Sequence, residues 1–286
     1  MTETKNFETN FENKWCPGCG NFGILNAMKK ALSGLSLQPK DFLIVSGIGQ
    51  AAKTPHFIRC NMFHGLHGRA LPVATGAKIA NSQLTVLVNS GDGDCYGEGG
   101  NHFLHAIRRN IDITLLVHNN KIYGLTKGQA SPTTDPGTKT RIQPDGVISD
   151  MFNPLTAALI MGAGYVARGY SGEIDHLSRL IRDGVEHRGF SLIDILQPCV
   201  SFNPVNTFQF YNERVYRLDE DGYEPTDRMT ALGKAEEWGE RIPIGLFYRK
   251  QSAHFTERIP ALGNQPLFSA AYDPGELNRQ LKALFI

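Results

Sequence analysis

The chain has 286 residues, a formal net charge of +1, 41% hydrophobic residues and 20% charged residues. That length suits one large domain with a tail or two small domains, and the composition is that of a globular protein. No basic excess points to nucleic acid, no acidic block points to a disordered tail, and apolar runs such as 84–88 are too short to span a bilayer.

Residues 1–13 are polar with charges of both signs, unlike a signal or transit peptide, and read as a mobile or partner-binding arm of a cytoplasmic protein. Cys16, Pro17, Gly18, Cys19 and Gly20 read as a tight turn. Apolar spacing at Ile24, Leu25, Met28 and Leu32 predicts a helix over about 22–35. A buried strand is expected at Phe42–Ser46, ending in Gly47, Ile48 and Gly49, and a helix from about Pro72 to Ile79. Then comes a strand at Leu84–Val88 ending in Gly91, Asp92, Gly93 and Asp94, a helix at Asn101–Arg109, and a strand at Ile113–Val117 ending in His118, Asn119 and Asn120. This is a βαβ unit, so its strands should be parallel with a right-handed crossover. Further on, helices fit Pro154–Met161 and Glu173–His187, and strands fit Tyr165–Arg168 and Phe190–Leu196.

The alternation predicts an α/β fold with a doubly wound, mostly parallel sheet over 14–202. Periodicity dissolves after Phe202, so 203–286 read as an irregular C-terminal extension that docks on a partner.

Asp92 and Asn120 carry the strongest signal. Each sits at the C-terminal end of an expected parallel strand, the edge where open α/β sheets bind ligands, and the crossover sets the two ends side by side. Mg²⁺ takes hard oxygen ligands and shares its shell with phosphates. A carboxylate, an amide oxygen and the backbone carbonyl of Ile122, two residues past Asn120, meet that need. Gly91 and Gly93 leave room for a diphosphate to approach the backbone. A plain Asp-Gly turn and an Asn-rich loop would account for either run alone, but not for their pairing.

These residues resemble the thiamine-diphosphate motif. Gly91–Asp94, Gly99–His102, Asn119–Gln129 and Ser131–Thr134, with His67–Pro72 and Cys16–Cys19, resemble specifically the beta subunit of 2-oxoacid:ferredoxin oxidoreductases over residues 14–205. The resemblance implies that Asp92, Asn120 and the Ile122 carbonyl hold Mg²⁺. It implies that Gly93, Asp94, Gly124 and Leu125 line the cofactor, and that His67 and the turn of Ile48, Gly49, Gln50 and Ala51 touch it. Lys53 would face the substrate and bind its carboxylate, or the distal carboxylate of 2-oxoglutarate; a solvated surface lysine is the alternative.

No Asp or Glu occurs between Asp41 and Asp92, whereas Lys53, Arg59, Arg69 and Lys78 lie in that stretch with His56, His64 and His67. A site for a diphosphate and a 2-oxoacid would be built so, because like charge repels the ligand. The stretch also excludes a rival. Gly47, Gly49 and Ala52 after the first strand imitate a dinucleotide fingerprint, but the acidic residue expected about twenty positions on is missing.

Five cysteines in such a chain make a poor disulfide framework. The Cys16–Cys19 turn could wrap an iron–sulfur cluster or zinc, or act as a dithiol. By resemblance, Cys199 is a distant ligand of a [4Fe–4S] cluster. Relatives carry a further cysteine directly after Gly-Ile-Gly, where this chain has Gln50; Cys60 is the nearest substitute. Cys95 is expected near the cofactor, Trp15 to shield the cluster, and His118 in the hydrogen-bonded core. His102 and His105 are expected at an interface.

The resemblance implies CoA-dependent oxidative decarboxylation of a 2-oxoacid, 2-oxoglutarate being favoured by the basic stretch, in either direction, with ferredoxin as the final electron acceptor. The glutamate that activates thiamine would come from an alpha subunit, giving a heterodimer or a dimer of heterodimers. The alternatives are a non-redox thiamine-dependent decarboxylase or carboligase, and a non-catalytic zinc-stabilised binding module built on Cys16, Cys19, Cys60 and Cys199.

Overall fold

Alternate side chains of single strands feed two separate cores, which is what a sheet covered by helices on both faces requires. In the computed structural model, which describes residues 7–259, 266–269 and 273–285, Phe42 and Ile44 of β1 (Phe42–Ser46) enter one core and Val45 the other. Helix α1 (Asn21–Ser33) lies over the first core. β2 (Asn61–His64) is an exposed edge strand, followed by α2 (Ala70–Ala80). β3 (Thr85–Gly91), α3 (Gly100–Arg109) and β4 (Ile113–Asn119) form the expected βαβ unit, with β3 and β4 parallel. A small hairpin, β5 (Ile122–Tyr123) with β6 (Gln129–Ala130), stands past the tip of β4. Then come α4 (Pro154–Ile160), β7 (Tyr165–Tyr170), α5 (Ile174–Glu186) and β8 (Phe190–Leu196).

Local chemistry fixes several of these boundaries. Asn153 caps α4, its side chain accepting from Leu155 N and Thr156 N, and Pro154 supplies a pre-set first turn. α5 buries Leu177, Leu180 and Ile181 on the face turned to α1 and the sheet, each contributing roughly 1.5–3 kcal/mol. All seven residues of β8 are buried, as a central parallel strand demands.

Among the described residues, the main sheet has eight strands in the order β2-β1-β3-β4-β8-β7-β10-β9. From β2 to β7 all neighbours are parallel. The chain leaves β1 for β2 on one side and then returns to β3 on the other, so the winding reverses between β1 and β3. That switch point is where such sheets bind ligands.

The stretch after Phe202 does more than its periodicity suggests. Past α6 (Phe208–Asn212) it lays β9 (Val215–Arg217), α7 (Arg228–Ala235) and β10 (Ile242–Arg249) onto the sheet, β10 antiparallel to β7. Pro243 and Gly245 interrupt β10 and leave it no clean alternation, and packing on β7 supplies what the pattern lacks. α8 (Pro274–Phe285) is largely exposed. Of the expected arm, 1–6 lie outside the described residues. Phe7 is buried edge-on to Phe42, and its carbonyl accepts from Arg59 N at 3.0 Å, so the arm is anchored there.

Candidate active site

The tips of β1, β3 and β4 enclose one cleft across the switch point. Ile48, Gly49, Gln50 and Ala51 line it after β1, Gly91–Asp94 after β3, and Asn120 with Ile122–Thr126 after β4; His67 closes the remaining side. The residues expected to hold a cofactor and Mg²⁺ are thus brought together. Lys53 does not border this cleft. It sits on the short helical turn Ala51–Phe57, and its ammonium group has no ion-pair partner among the described residues.

Asp92 is buried, with no cationic nitrogen at ion-pair distance among the described residues. Its Oδ2 accepts from Ser131 Oγ at 2.5 Å and from Thr133 Oγ1 at 2.7 Å. Burial raises its carboxyl pKa, and the two hydroxyls oppose that shift. A buried carboxylate with one oxygen held by two donors and no counter-charge is suited to a divalent cation. Asn120 lies on the same cleft, its Oδ1 accepting from Ile122 N at 3.0 Å, while Asn119 turns the other way, its Nδ2 donating to Asp194. The donor set fits Mg²⁺ with a diphosphate.

Asp94 lines the cleft but spends its carboxylate on the protein. Oδ1 accepts from Ile48 N at 3.1 Å and Gly68 N at 2.7 Å, and Oδ2 accepts from Ser90 Oγ. His67 Nδ1 lies 2.8 Å from Oδ1, placed for an ion pair rather than a linear hydrogen bond. Asp94 thereby ties the β1 tip to the His67 loop, and Gly47 is required because a β-carbon there would overlap the carboxylate. Gly93 also has a steric role beyond the expected one. Its missing β-carbon makes room for the Tyr123 ring, whose hydroxyl donates to Gly93 O at 3.2 Å.

Tyr123, Thr126, Ser131 and Thr133 carry no role that the sequence alone assigns. The Ser131–Thr134 run is visible there, but its use depends on a hairpin that returns it to Asp92. Deeper lies a polar network. Asp194 accepts from Tyr96 Oη at 2.8 Å and from Asn119, near Arg168, and burial lifts its carboxyl to about 6. His118 is a core residue, as expected. It bridges Asn21 and Asn89, and burial lowers it to about 3.

Cys16, Cys19 and Cys199 border a second cavity that shares Gln50, Asn120 and Gly124 with the first. The thiols are close enough that the charges of Cys199 and Cys16 add to burial in raising Cys19 to about 11. Trp15 borders the same cavity and donates to Gln50 O at 3.0 Å. Cys60, expected as the fourth ligand, is not there. It precedes β2, and parallel pairing sets Asn61 beside Leu43, so Cys60 sits at the opposite edge of the sheet. Its Sγ lies 3.7 Å from Ile58 O, and burial pushes the thiol up to about 12. Cys95 is buried in the core on the other face of the sheet from α1.

A cavity of about 480 Å³ lies at the N-terminal edge of the sheet between Lys78, Asp112 and Arg188. Its central charges already pair with each other, Lys78 Nζ to Asp112 Oδ2 at 2.8 Å, and the strand tips point away from it. The switch-point cleft is therefore the candidate site.

Comparison with known proteins gives the family. The family model for the thiamine pyrophosphate enzyme C-terminal TPP binding domain matches residues 46–195, and that for the C-terminal part of the pyruvate ferredoxin oxidoreductase beta subunit matches 199–264. The chain is 48% identical to the beta subunit of 2-oxoacid:ferredoxin oxidoreductase 1 of Aeropyrum pernix, over 85% of this chain and 79% of that one. It is 47% identical to the 2-oxoacid:ferredoxin oxidoreductase beta subunit of Saccharolobus solfataricus, over 89% of each. A solved 2-oxoglutarate:ferredoxin oxidoreductase from Magnetococcus marinus, with 2-oxoglutarate, coenzyme A and succinyl-CoA bound, superposes with a TM-score of 0.90 at 35% identity, covering 97% of this chain and 95% of that one. The chain belongs to the beta subunits of the 2-oxoacid:ferredoxin oxidoreductases, a family of oxidoreductases with a thiamine-diphosphate-binding domain.

Proposed function

We propose that this beta subunit binds thiamine diphosphate through Mg²⁺ at the switch-point cleft and, with an alpha subunit, oxidatively decarboxylates 2-oxoglutarate to an acyl-CoA in the cytoplasm, with ferredoxin accepting the electrons. The observation that carries this reading is the pair Asp92 and Asn120, on neighbouring strand tips and one cleft, with Asp92 buried and without an ion-pair partner among the described residues. Bound thiamine diphosphate would supply the carbon chemistry. The chain's own residues would position it: Asp92, Asn120 and the Ile122 carbonyl on the cation, with the Ile48–Ala51 turn, His67, Gly91, Gly93, Asp94, Gly124 and Leu125 around the cofactor.

No glutamate lines the cleft among the described residues, and the cleft measures only about 90 Å³, well below the few hundred Å³ of a site that encloses a ligand. Both facts support an alpha subunit that completes the site. The exposed apolar side chains of Leu66 and Leu125, beside residues of the cleft, give it a surface to cover. Lys53, on the turn after Gln50 and without an ion-pair partner among the described residues, is the proposed partner of a substrate carboxylate. The 2-oxoglutarate assignment draws on the Magnetococcus marinus enzyme and on the acid-free basic stretch. No helix among the described residues is long and apolar enough to cross a membrane.

The test has two arms. Calorimetry with thiamine diphosphate and Mg²⁺ should give binding that Asp92→Ala abolishes; unchanged binding would contradict the metal assignment. The complex with its alpha subunit should reduce viologen in a CoA-dependent manner fastest with 2-oxoglutarate. A non-redox decarboxylase would show neither iron nor visible absorption in anaerobic material.

A further inference from the structure

Three cysteines, one short of the four that a [4Fe–4S] cluster takes, line one cavity beside the cofactor cleft. Cys16 and Cys19 come from the turn before α1, and Cys199 from just past the tip of β8. Two of the sulfurs already receive donors: Ser201 Oγ stands 3.1 Å from Cys16 Sγ, and Gln197 Nε2 stands 3.6 Å from Cys19 Sγ. Donors aimed at sulfur suit thiolates, and hydrogen bonds to sulfur tune cluster potentials.

Neither remaining cysteine can complete the set. Cys60 lies at the far end of β2, four strand residues or about 13 Å below His64 at the site edge. Cys95 is sealed in the core on the opposite face of the sheet. The side chain that does border the cavity is Gln50. Its backbone carbonyl is fixed by Trp15 Nε1 at 3.0 Å, while its amide group makes no hydrogen bond among the described residues.

We infer that this chain holds its cluster by three cysteines, Cys16, Cys19 and Cys199, and that the fourth iron corner faces the neutral amide of Gln50. The inference rests on the redox reading above. A corner held by a neutral ligand instead of a thiolate loses its iron easily. One-electron oxidation balances as [4Fe–4S]²⁺ giving [3Fe–4S]⁺, Fe²⁺ and an electron, which ferricyanide accepts. The site also carries one negative charge fewer than a four-thiolate site, so its reduction potential lies above that of a Gln50→Cys variant.

The experiment uses the complex with the alpha subunit, reconstituted anaerobically with iron and sulfide. Iron and sulfide are counted, and electron spin resonance spectra recorded, before and after ferricyanide. Cys16→Ser, Cys19→Ser and Cys199→Ser should lose the cluster, while Cys60→Ser and Cys60→Val keep the wild-type iron content. Ferricyanide should release about one iron in four from the wild type and generate a three-iron signal, and Gln50→Cys should suppress both. Loss of iron in both Cys60 variants, with thiamine diphosphate binding intact, overturns the inference alone. So does a Gln50→Cys complex as oxidation-sensitive as the wild type. A wild-type complex that takes up no iron overturns the redox reading, and this inference with it.

Discussion

Thr133 Oγ1 donates to Asp92 Oδ2 across 2.7 Å, joining residues 41 positions apart in the chain. The same hydroxyl lies 2.8 Å from Asn119 Oδ1, but it has one proton, and the carboxylate is the stronger acceptor. With Ser131 on the same oxygen, Asp92 is left with Oδ1 to offer a cation. Thr133→Val should therefore weaken Mg²⁺-dependent thiamine diphosphate binding about 10–100-fold, as loss of such outer partners does at other metal sites. Calorimetry at several Mg²⁺ concentrations checks this, and an affinity within twofold of wild type would contradict it.

Tyr123 occupies the space a β-carbon on Gly93 would need. Gly93→Ala should cost about 1–3 kcal/mol of stability and push the ring out of the cleft wall. Gly93→Ala combined with Tyr123→Ala should cost less than the two single changes added together, because the clash is gone. Urea titration of the four proteins gives the coupling; simple additivity would show that the ring moves freely.

Lys78 and Asp112 form a buried ion pair at 2.8 Å far from the cleft. Burial favours the neutral Asp112, yet Lys78 and Gly189 N together hold its carboxyl below the usual range. Lys78→Met leaves that carboxylate uncompensated and should destabilise the fold by about 3–5 kcal/mol. Thiamine diphosphate affinity should be unchanged at temperatures where the variant is folded. A thermal midpoint equal to wild type would contradict the pairing.

Two buried histidines set an acid limit. Burial lowers His118 from 6.5 to about 3 and His187 from 6.5 to about 4. The unfolded chain takes up these protons near 6.5, before the folded chain does, so it binds more protons as the pH falls. Their contribution is whole above about 6.5 and is lost as the pH falls from there toward 4; for His187 it is on the order of 3 kcal/mol. Urea midpoints should drop between pH 7 and 4.5, and His187→Asn should shallow the drop. An equal slope in that variant would remove His187 from the account.

Strand tips are legible because a buried parallel strand must be apolar and must end at residues that break the run. Phe42–Ser46 and Phe190–Leu196 are found with the bounds read from the sequence, and Asp92 and Asn120 stand past the ends of their strands. The chain beyond Phe202 is not legible in this way. β9 has only three residues, and β10, though eight long, contains Pro243 and Gly245, so nothing in their own pattern marks them as strands.

The sequence by itself determined α1, β1, α2, β3, α3, β4 and the run from α4 to β8, the pairing of Gly91–Asp94 with Asn119–Asn120, and the Cys16–Cys19 turn, because each follows from a local run of residues. Only the tertiary structure decided which oxygen of Asp92 Ser131 and Thr133 hold, why Gly93 must be glycine, and that Cys60 sits at the opposite strand end from the other thiols. Those outcomes depend on contacts across 30 and 41 positions, as with Tyr123 on Gly93 and Thr133 on Asp92, or on which end of a parallel strand a residue occupies. Spacing along the chain does not encode either one.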